Sequence, residues 1–577
     1  MLDHNSLILL DDDQMQRFIV DGFIVLKSGL SASFHDAVHA EMAYALENEI
    51  PHPGDNIVPR VPALNSLCDD PVVRGALTSI LGRNFDYLPH RFPHNSEPLP
   101  GFEVSAGGQK GASAQVSPSA AFHTQPRMAR GSISASAWHQ DGHASCGRSR
   151  WHTVRAANVF YFPHDTPMEM GPTRFLAGSH LYATLHDIRA EQAVMEPISA
   201  GSVIIAHFDL AHAGSPNLTD TCRYMMKFVA VRTQVPSGPE WDHKDSQWKT
   251  TTNSPGRDSV AAAWKSQWNW LRGVSRSEGI EPVESHRLPS LLAALQDARQ
   301  AIRLEALYLI TALGAPAVDP LIDSLVATAG KERHLGTAEV IKADQSPAHL
   351  KRFFSEGQFL PEDAAIALAA IGAPAVRALI PLLKHEDPWI RLNAVYALGD
   401  MGPMAIGDDV RHVAALLEDQ EDCVVRGALD ALCVLGQFGD ETVGHLTGFL
   451  KTPALAEEGE GGEKQERAHV PQFRYLSTLA LLSWTNKRGL YTPELESRVE
   501  DALLAVLNEP NGYPPLIACS ALERMGTVKG LRSAIAYLRG RCWDSAQNRR
   551  DALSGAWTRA HRRSTLARLT AADASEA

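Results

Sequence analysis

The amino-acid sequence predicts a multidomain chain: an N-terminal jelly roll (double-stranded β-helix) with flanking helices, followed by an all-α solenoid. Short strand-like runs separated by Gly and Pro turns fill the first half, as in double-sheet jelly rolls. From about Leu288 the sequence becomes rich in Ala and Leu and repeats short motifs, which is typical of stacked helix pairs. A length of 577 residues also exceeds what one hydrophobic core usually supports.

The order of helices and strands in the first half follows from the spacing of apolar residues. That spacing predicts helices over 11–21, 31–49 and 71–81, and strands over 22–26, 85–92, 154–162, 203–208 and 224–231. Residues 93–136 lack periodicity and are rich in Gly, Ser, Ala and Pro. They predict a long loop, which is either a lid over a functional site or a floppy insertion.

His139 and Asp141 carry the chemistry of this half. Two residues apart on a strand, they point to the same face. Two histidines and one carboxylate on one face of a metal leave open coordination positions, as in non-haem iron(II) oxygenases. His207 and His212 are the candidates for the third ligand. Arg223 follows His212 by eleven residues and begins an apolar strand. A buried arginine needs an anion, which a dicarboxylate cosubstrate would supply.

Taken together with a Gly171-Pro172 turn and a Gly178-Ser179-His180 turn, this spacing resembles the phytanoyl-CoA dioxygenase-like family of iron(II)/2-oxoglutarate oxygenases. The resemblance covers roughly residues 10–235. It departs at Ala177, where proline is usual, and in the long loop. The resemblance implies that the iron is bound by His139, Asp141 and His212. It also implies that Arg223 holds 2-oxoglutarate. Two further residues of the cosubstrate pocket would be Thr173 and Asn158.

The resemblance also implies an activity. Fe(II), with 2-oxoglutarate and O2 as cosubstrates, would hydroxylate, desaturate or cyclise a small organic substrate, with release of succinate and CO2. Related halogenases carry a small residue where this chain has Asp141, so its presence favours hydroxylation, desaturation or ring chemistry.

The second half repeats itself. Residues 314–318, Gly-Ala-Pro-Ala-Val, recur at 372–376, and Arg303 and Arg391 each precede a turn glycine by eleven residues. The pattern resembles HEAT repeats of the phycobilisome-lyase type, over roughly 288–540. Such arrays commonly bind partners, so we expect a protein or carrier partner on the solenoid.

We expect four segments: 1–235 as the oxygenase jelly roll, 236–287 as a tryptophan-rich connector, 288–545 as the HEAT solenoid and 546–577 as a basic tail. The connector contains five tryptophans, which are too many for a flexible tether. We therefore expect it to pack against the protein, either against one half or against both. Since all candidate site residues precede residue 235, the chemistry is expected to need nothing directly from 288–540.

Composition limits the classes of binding partner that we expect. A net charge of −13 argues against bulk binding of nucleic acid or acidic membranes. No uncharged apolar run reaches the ~20 residues needed to span a bilayer. Seven scattered cysteines without a CxxC pair, and an N-terminus unlike a signal peptide, indicate reduced thiols in a cytoplasmic protein.

Several alternatives stay open on the sequence alone. One is an interaction scaffold with a catalytically idle oxygenase domain. Another is a tetrapyrrole-handling protein, suggested only by the type of repeat. Three arginines, Arg148, Arg150 and Arg155, would either lie on a solvated face or receive an anionic substrate.

Overall fold

Two antiparallel sheets form the centre of the first half. A computed structural model of the chain describes residues 6–48, 53–98, 138–141, 151–183, 192–249, 258–330, 359–451, 470–509 and 513–541. The large sheet has the strand order β1-β6-β3-β8-β2 and the small sheet the order β5-β4-β7. The strands are β1 (Phe23–Lys27), β2 (Asp86–Ser96), β3 (Ala156–Phe162), β4 (Arg174–Leu176), β5 (Ala193–Val194), β6 (Ser202–His207), β7 (His212–Ala213) and β8 (Arg223–Val231).

Helices precede and follow these strands, with clear local signals at their ends. They are α1 (Asp12–Asp21), α2 (Ala32–Asn48), α3 (Ile57–Arg60), α4 (Leu64–Cys68), α5 (Pro71–Leu81) and, in the connector, α6 (Ala261–Leu271). Asp11 caps α1 by accepting a hydrogen bond from the Gln14 amide at 2.8 Å. Gly22 ends α1 at φ +82°, and a Cβ there would lie 2.5 Å from His180 Nδ1. Only glycine suits this position.

The two faces of the large sheet have different surroundings. Val159, Tyr161 and Met226 belong to the main core, which also contains the buried residues of α2 and α5. On the opposite face Phe160 and Ile204 pack with Phe175 of the small sheet. The inner face of the large sheet therefore lies against the small sheet, and it also carries the buried polar side chains of Asn158 and Lys227.

Most predicted elements of the first half are confirmed to within a few residues. Strand β2 runs on to Ser96, so the predicted loop cannot begin at residue 93. The remainder of that loop, 99–136, lies outside the described residues. The three strands of the small sheet were not predicted, because segments of two or three residues show no periodicity.

The second half is helical, and successive long helices pack on one another. The helices are α7 (Leu288–Ala294), α8 (Gln300–Thr311), α9 (Val318–Val326), α10 (Asp363–Ile371), α11 (Ala373–Leu379), α12 (Pro388–Met401), α13 (Pro403–Ile406), α14 (Val410–Ala414), α15 (Asp422–Leu435), α16 (Asp440–Lys451), α17 (Val470–Thr485), α18 (Pro493–Val506), α19 (Tyr513–Met525) and α20 (Val528–Arg541). None of the helices in the described ranges is long and apolar enough to cross a membrane.

The repeated arginines hold neighbouring helices together. Arg391 donates to the carbonyls of His385 and Glu386 and forms an ion pair with Asp419 at 2.8 Å. Arg303, 88 residues earlier in the chain, makes the same set of contacts, with two carbonyls and the carboxylate of Asp363 at 3.1 Å. The repeated residue is therefore structural: it satisfies turn carbonyls and links consecutive repeats.

The connector packs onto both halves, as its tryptophans predicted. Trp264 and Trp268 are fully buried. Trp241 Nε1 donates to Asp12 at the start of α1, 2.7 Å away. On the other side, the Ala262 amide donates to Glu305 of α8 at 3.0 Å. The tryptophan-rich segment is part of a continuous core that joins the two halves.

A buried ionic cluster joins the first half to α12. Asp400 accepts hydrogen bonds from Thr153 Oγ1 at 2.8 Å, Arg155 at 3.0 Å and Arg276 at 2.8 Å. The carboxylate is completely buried, and both arginines are nearly so. Arg155 therefore lies neither on a solvated face nor free for a substrate, which corrects both interpretations. Arg148 and Arg150 lie outside the described residues.

A second set of contacts joins the first half to α17 and α19. Tyr513 donates to Asp55 at 2.6 Å, and Arg524 forms an ion pair with Asp86 at 3.2 Å. Asn486 donates to the carbonyl of Thr233 at 2.9 Å. The helical array therefore contacts the sheet-containing half at two separate places.

Candidate metal centre

His139, Asp141 and His212 meet in the interior of the first half. Their candidate ligand atoms all lie within 4.8 Å of one another. Asp141 Oδ1 lies 3.8 Å from His139 Nε2, and Asp141 Oδ2 lies 3.7 Å from His212 Nε2. The structure brings these three side chains together, and His212, not His207, is the second histidine of the cluster.

Backbone pairing explains why the two histidines face each other. His139 and His212 form an isolated antiparallel bridge, with hydrogen bonds of 3.1 and 2.9 Å between their backbones. Their rings lie 4.4 Å apart. The His139 side chain is 31% exposed and that of His212 only 7%, so the site is open to solvent on the His139 side.

The ionisation of the cluster suits a cation. His212 Nδ1 lies 3.0 Å from the carbonyl of Leu210, which leaves Nε2 to face Asp141. Burial lowers the pKa of His212 to about 3, so its imidazole is neutral. Burial alone would raise the pKa of Asp141, but the charge of Lys227 and then the two imidazoles hold that pKa well below its usual range. A carboxylate and a neutral imidazole are metal-ligand forms.

The Gly-Ser-His turn fixes the segments that carry these three side chains. Gln140 Nε2 donates to the carbonyls of Ser179 and Tyr182, each at 3.1 Å. The Ala211 amide donates to Ser179 Oγ at 2.9 Å. Because Gln140 lies between two cluster residues and Ala211 precedes the third, this turn sets the backbone positions of all three.

Arg223 begins β8 and is buried without a carboxylate partner in the described part of the chain. Its guanidinium donates to the carbonyl of Gly171, while Nε has no hydrogen-bond partner. Burial lowers the pKa of Arg223 to about 10. Gly171 has φ +71°, and a Cβ there would collide with the carbonyl of Pro216, so the turn before Thr173 requires glycine. Thr173 is buried directly before β4.

Asn158 lies on the inner face of β3, in contact with the cluster. Its Nδ2 donates to Asp141 Oδ2 at 2.8 Å. The predicted contacts of Asn158 and Thr173 with 2-oxoglutarate stay predictions, since these geometric observations concern the protein alone.

Sequence reasoning missed Lys227. Its Nζ lies 2.5 Å from Asp141 Oδ2 and 5.5 Å from the centre of the Phe160 ring. A signal was present in the sequence: lysine interrupts an otherwise apolar strand four residues after Arg223, and so lies on the same face.

The matches with known proteins agree with this geometry. Residues 108–225 match the family described as Phytanoyl-CoA dioxygenase (PhyH), a range that contains His139, Asp141, His212 and Arg223. Residues 361–433 match HEAT repeats. No curated protein matches the chain.

Similar solved structures include three non-haem proteins. The apo non-heme monooxygenase ThoJ is 19% identical over 40% of this chain and 83% of its own, with a TM-score of 0.29. The alpha ketoglutarate dependent epimerase SnoN from nogalamycin biosynthesis is 17% identical over 38% and 82%, with a TM-score of 0.27. The carbocyclase SnoK from the same biosynthesis is 17% identical over 39% and 85%, with a TM-score of 0.28. Likeness at this level does not transfer an activity.

The two family matches cover different halves of the chain, one around the metal-type cluster and one in the helical array. The chain therefore joins a domain of the phytanoyl-CoA dioxygenase family to an array of HEAT repeats.

Proposed function

We propose that this chain is an iron(II)- and 2-oxoglutarate-dependent oxygenase that acts on a small organic substrate. The observation that carries the proposal is the meeting of His139, Asp141 and His212 around one point in the protein interior. The two facing sheets, interpreted as a double-stranded β-helix, would hold these ligands between them. We also keep the proposed bounds, 1–235 for the oxygenase domain and 288–545 for the solenoid.

The donor set fits iron(II). Two imidazole nitrogens and one carboxylate oxygen on one side of an ion leave its other positions open for a cosubstrate and O2. His139, Asp141 and His212 would hold the ion, and Asn158 would orient the carboxylate by its hydrogen bond to Oδ2.

Arg223 fits a carboxylate ligand. A buried guanidinium with an unpartnered Nε is costly unless an anion compensates it, and a guanidinium binds carboxylate with two parallel hydrogen bonds. We assign Arg223 to the distal carboxylate of 2-oxoglutarate. Thr173, two residues after the glycine whose carbonyl Arg223 contacts, is assigned to the same pocket.

The bound iron, with 2-oxoglutarate and O2, supplies the oxidation chemistry, with succinate and CO2 as coproducts. The protein's own residues bind, orient and exclude water. Asp141 occupies the position that a halide would need, so the outcome we propose is hydroxylation, desaturation or cyclisation. Because His139 is the exposed ligand, we place the substrate on that side of the cluster.

The alternative from another functional class is an interaction scaffold with an idle oxygenase domain. The HEAT repeats favour it, since such arrays bind protein or carrier partners. The two proposals differ in one measurable product, because only the oxygenase converts 2-oxoglutarate to succinate.

The test measures succinate after incubation of the full-length protein with Fe(II), 2-oxoglutarate and O2. We expect slow turnover without substrate, abolished by His139→Ala or His212→Ala, with loss of Fe(II) binding. His286→Ala, an exposed histidine of the connector, is the matched control and should behave as wild type. Iron-loaded, folded wild type that forms no succinate would favour the scaffold, and full turnover by either ligand variant would remove the assignment.

A further inference from the structure

Lys227 places a positive charge inside the metal-type cluster. It lies in the middle of β8, opposite Phe160 of β3, and its side chain is only 7% exposed. The ammonium lies 2.5 Å from Asp141 Oδ2, so it and a bound ion would share the same carboxylate group. Lysines are rarely buried this deeply without a specific partner.

Asp141 Oδ2 is already used by two protein donors. Asn158 donates to it at 2.8 Å, and Lys227 contacts it from β8. The carboxylate that would hold the ion is therefore neutralised by an ammonium before any ion binds. Asp141 contributes one negative charge and Lys227 one positive charge, so this pair carries no net charge by itself.

This balance changes when ligands enter. A divalent cation brings the cluster to a net charge of two, in a buried site where like charges repel strongly. Arg223, on the same face of β8, adds another positive charge, which no carboxylate of the described residues compensates. A dicarboxylate that reaches from the ion to Arg223 would cancel two of these three positive charges.

We propose that Lys227 couples metal binding to cosubstrate binding: it opposes a divalent ion in the cosubstrate-free site, and the dianionic 2-oxoglutarate relieves that opposition. This inference rests on the proposed function. Such coupling means that the ion and the cosubstrate each bind with high affinity only when the other is bound, so the site is occupied by both or by neither. Linkage requires the effect to be reciprocal, so Fe(II) must raise the affinity for 2-oxoglutarate by the same factor.

The test is a linkage cycle on the full-length protein without O2. Fe(II) affinity is measured by calorimetry with and without saturating 2-oxoglutarate, and the ratio is the coupling factor. In wild type we expect roughly tenfold or more, within the usual range for coupled ligands. Lys227→Met should bind Fe(II) more tightly in the absence of cosubstrate and should lose most of the coupling.

Two further variants separate charge from hydrogen bonding. Lys227→Gln keeps a donor for Asp141 without the charge and should behave like Lys227→Met, whereas Lys227→Arg keeps the charge and should retain coupling. Lys249→Met, which removes an exposed lysine, is the control for net charge and should match wild type.

The outcomes are distinct. An unchanged coupling factor in both neutral variants, or weaker cosubstrate-free Fe(II) binding in Lys227→Gln, would overturn the role of Lys227 and leave the oxygenase proposal standing. If wild type binds no 2-oxoglutarate with Fe(II) present, the proposed function itself fails. A folding defect in Lys227→Met alone leaves Lys227→Gln to decide.

Discussion

Replacing Asp400 by Asn tests whether the helical array is structurally part of the oxygenase domain. The change keeps the shape of the side chain and removes one charge. It leaves the guanidiniums of Arg155 and Arg276 buried with no compensating carboxylate. Asp400 lies 245 residues from Arg155 in sequence, so the interaction is purely tertiary.

The structure sets the expected magnitude. Burial would raise the pKa of Asp400, but Arg276 and then Arg155 lower it from 3.8 to about 2. A shift of this size corresponds to about 2 kcal/mol. Breaking a buried ion pair by neutralising one partner costs about 3–5 kcal/mol. We therefore expect Asp400→Asn to lower the free energy of unfolding by about 2–5 kcal/mol at pH 7.

The measurement is urea unfolding followed by tryptophan fluorescence, compared with Asp408→Asn, an exposed aspartate in the same array. Because the folded-state pKa of Asp400 is depressed, its contribution is present above about pH 4 and is lost as the pH falls toward 2. The difference between wild type and Asp400→Asn should shrink over that window. Equal stability of the Asp400 and Asp408 variants at pH 7 would refute the reasoning.

Three further outcomes are expected. Arg223→Leu should weaken 2-oxoglutarate binding on the order of tenfold to a hundredfold, with little effect on Fe(II), because a charged hydrogen bond is lost; equal losses by calorimetry would contradict its role. Asp141→Gly should abolish succinate formation. It should also leave Lys227 without its carboxylate partner, so that added chloride binds in the space left by the side chain, which a chloride titration would detect. Undiminished succinate formation would contradict the role of Asp141 in the cluster. A 1–287 fragment should associate and lose Fe(II) binding, because Arg155 and Arg276 no longer have Asp400 as an ion-pair partner. A fragment that is monomeric by size exclusion and binds Fe(II) by calorimetry would contradict this.

The residues of the cluster could be predicted because their signal is local. His139 and Asp141 are two positions apart, so spacing groups these two, whereas His212 and Arg223 joined them through the resemblance to the phytanoyl-CoA dioxygenase-like family. Two histidines were open as the third ligand from spacing alone. Backbone pairing with His139 distinguishes His212 in the structure.

Other features had no local signal. Asp400 lies in a helical repeat, and nothing in the sequence around it indicates that its partners are Thr153 and Arg155. The expectation that the chemistry needs nothing directly from 288–540 stays a prediction. The structure adds an indirect connection, since Asp400 contacts Arg155, three residues before Asn158 on the way into β3. Which distant charged residues are buried next to each other depends on the tertiary fold, and the spacing of apolar residues in the sequence does not indicate it.

The position of the HEAT array narrows what its partner surface can be. Contacts at Asp400 in α12, at Asn486 directly after α17 and at Arg524 in α19 already attach the array to the sheet-containing half. A protein or carrier partner would have to bind where the array does not meet that half. Substitutions on such a surface should leave Fe(II) affinity unchanged, whereas substitutions at Asp400 should alter stability and the segment that leads to Asn158 together. The array therefore packs as part of the same structure as the first half, and a partner would have to use its remaining surface.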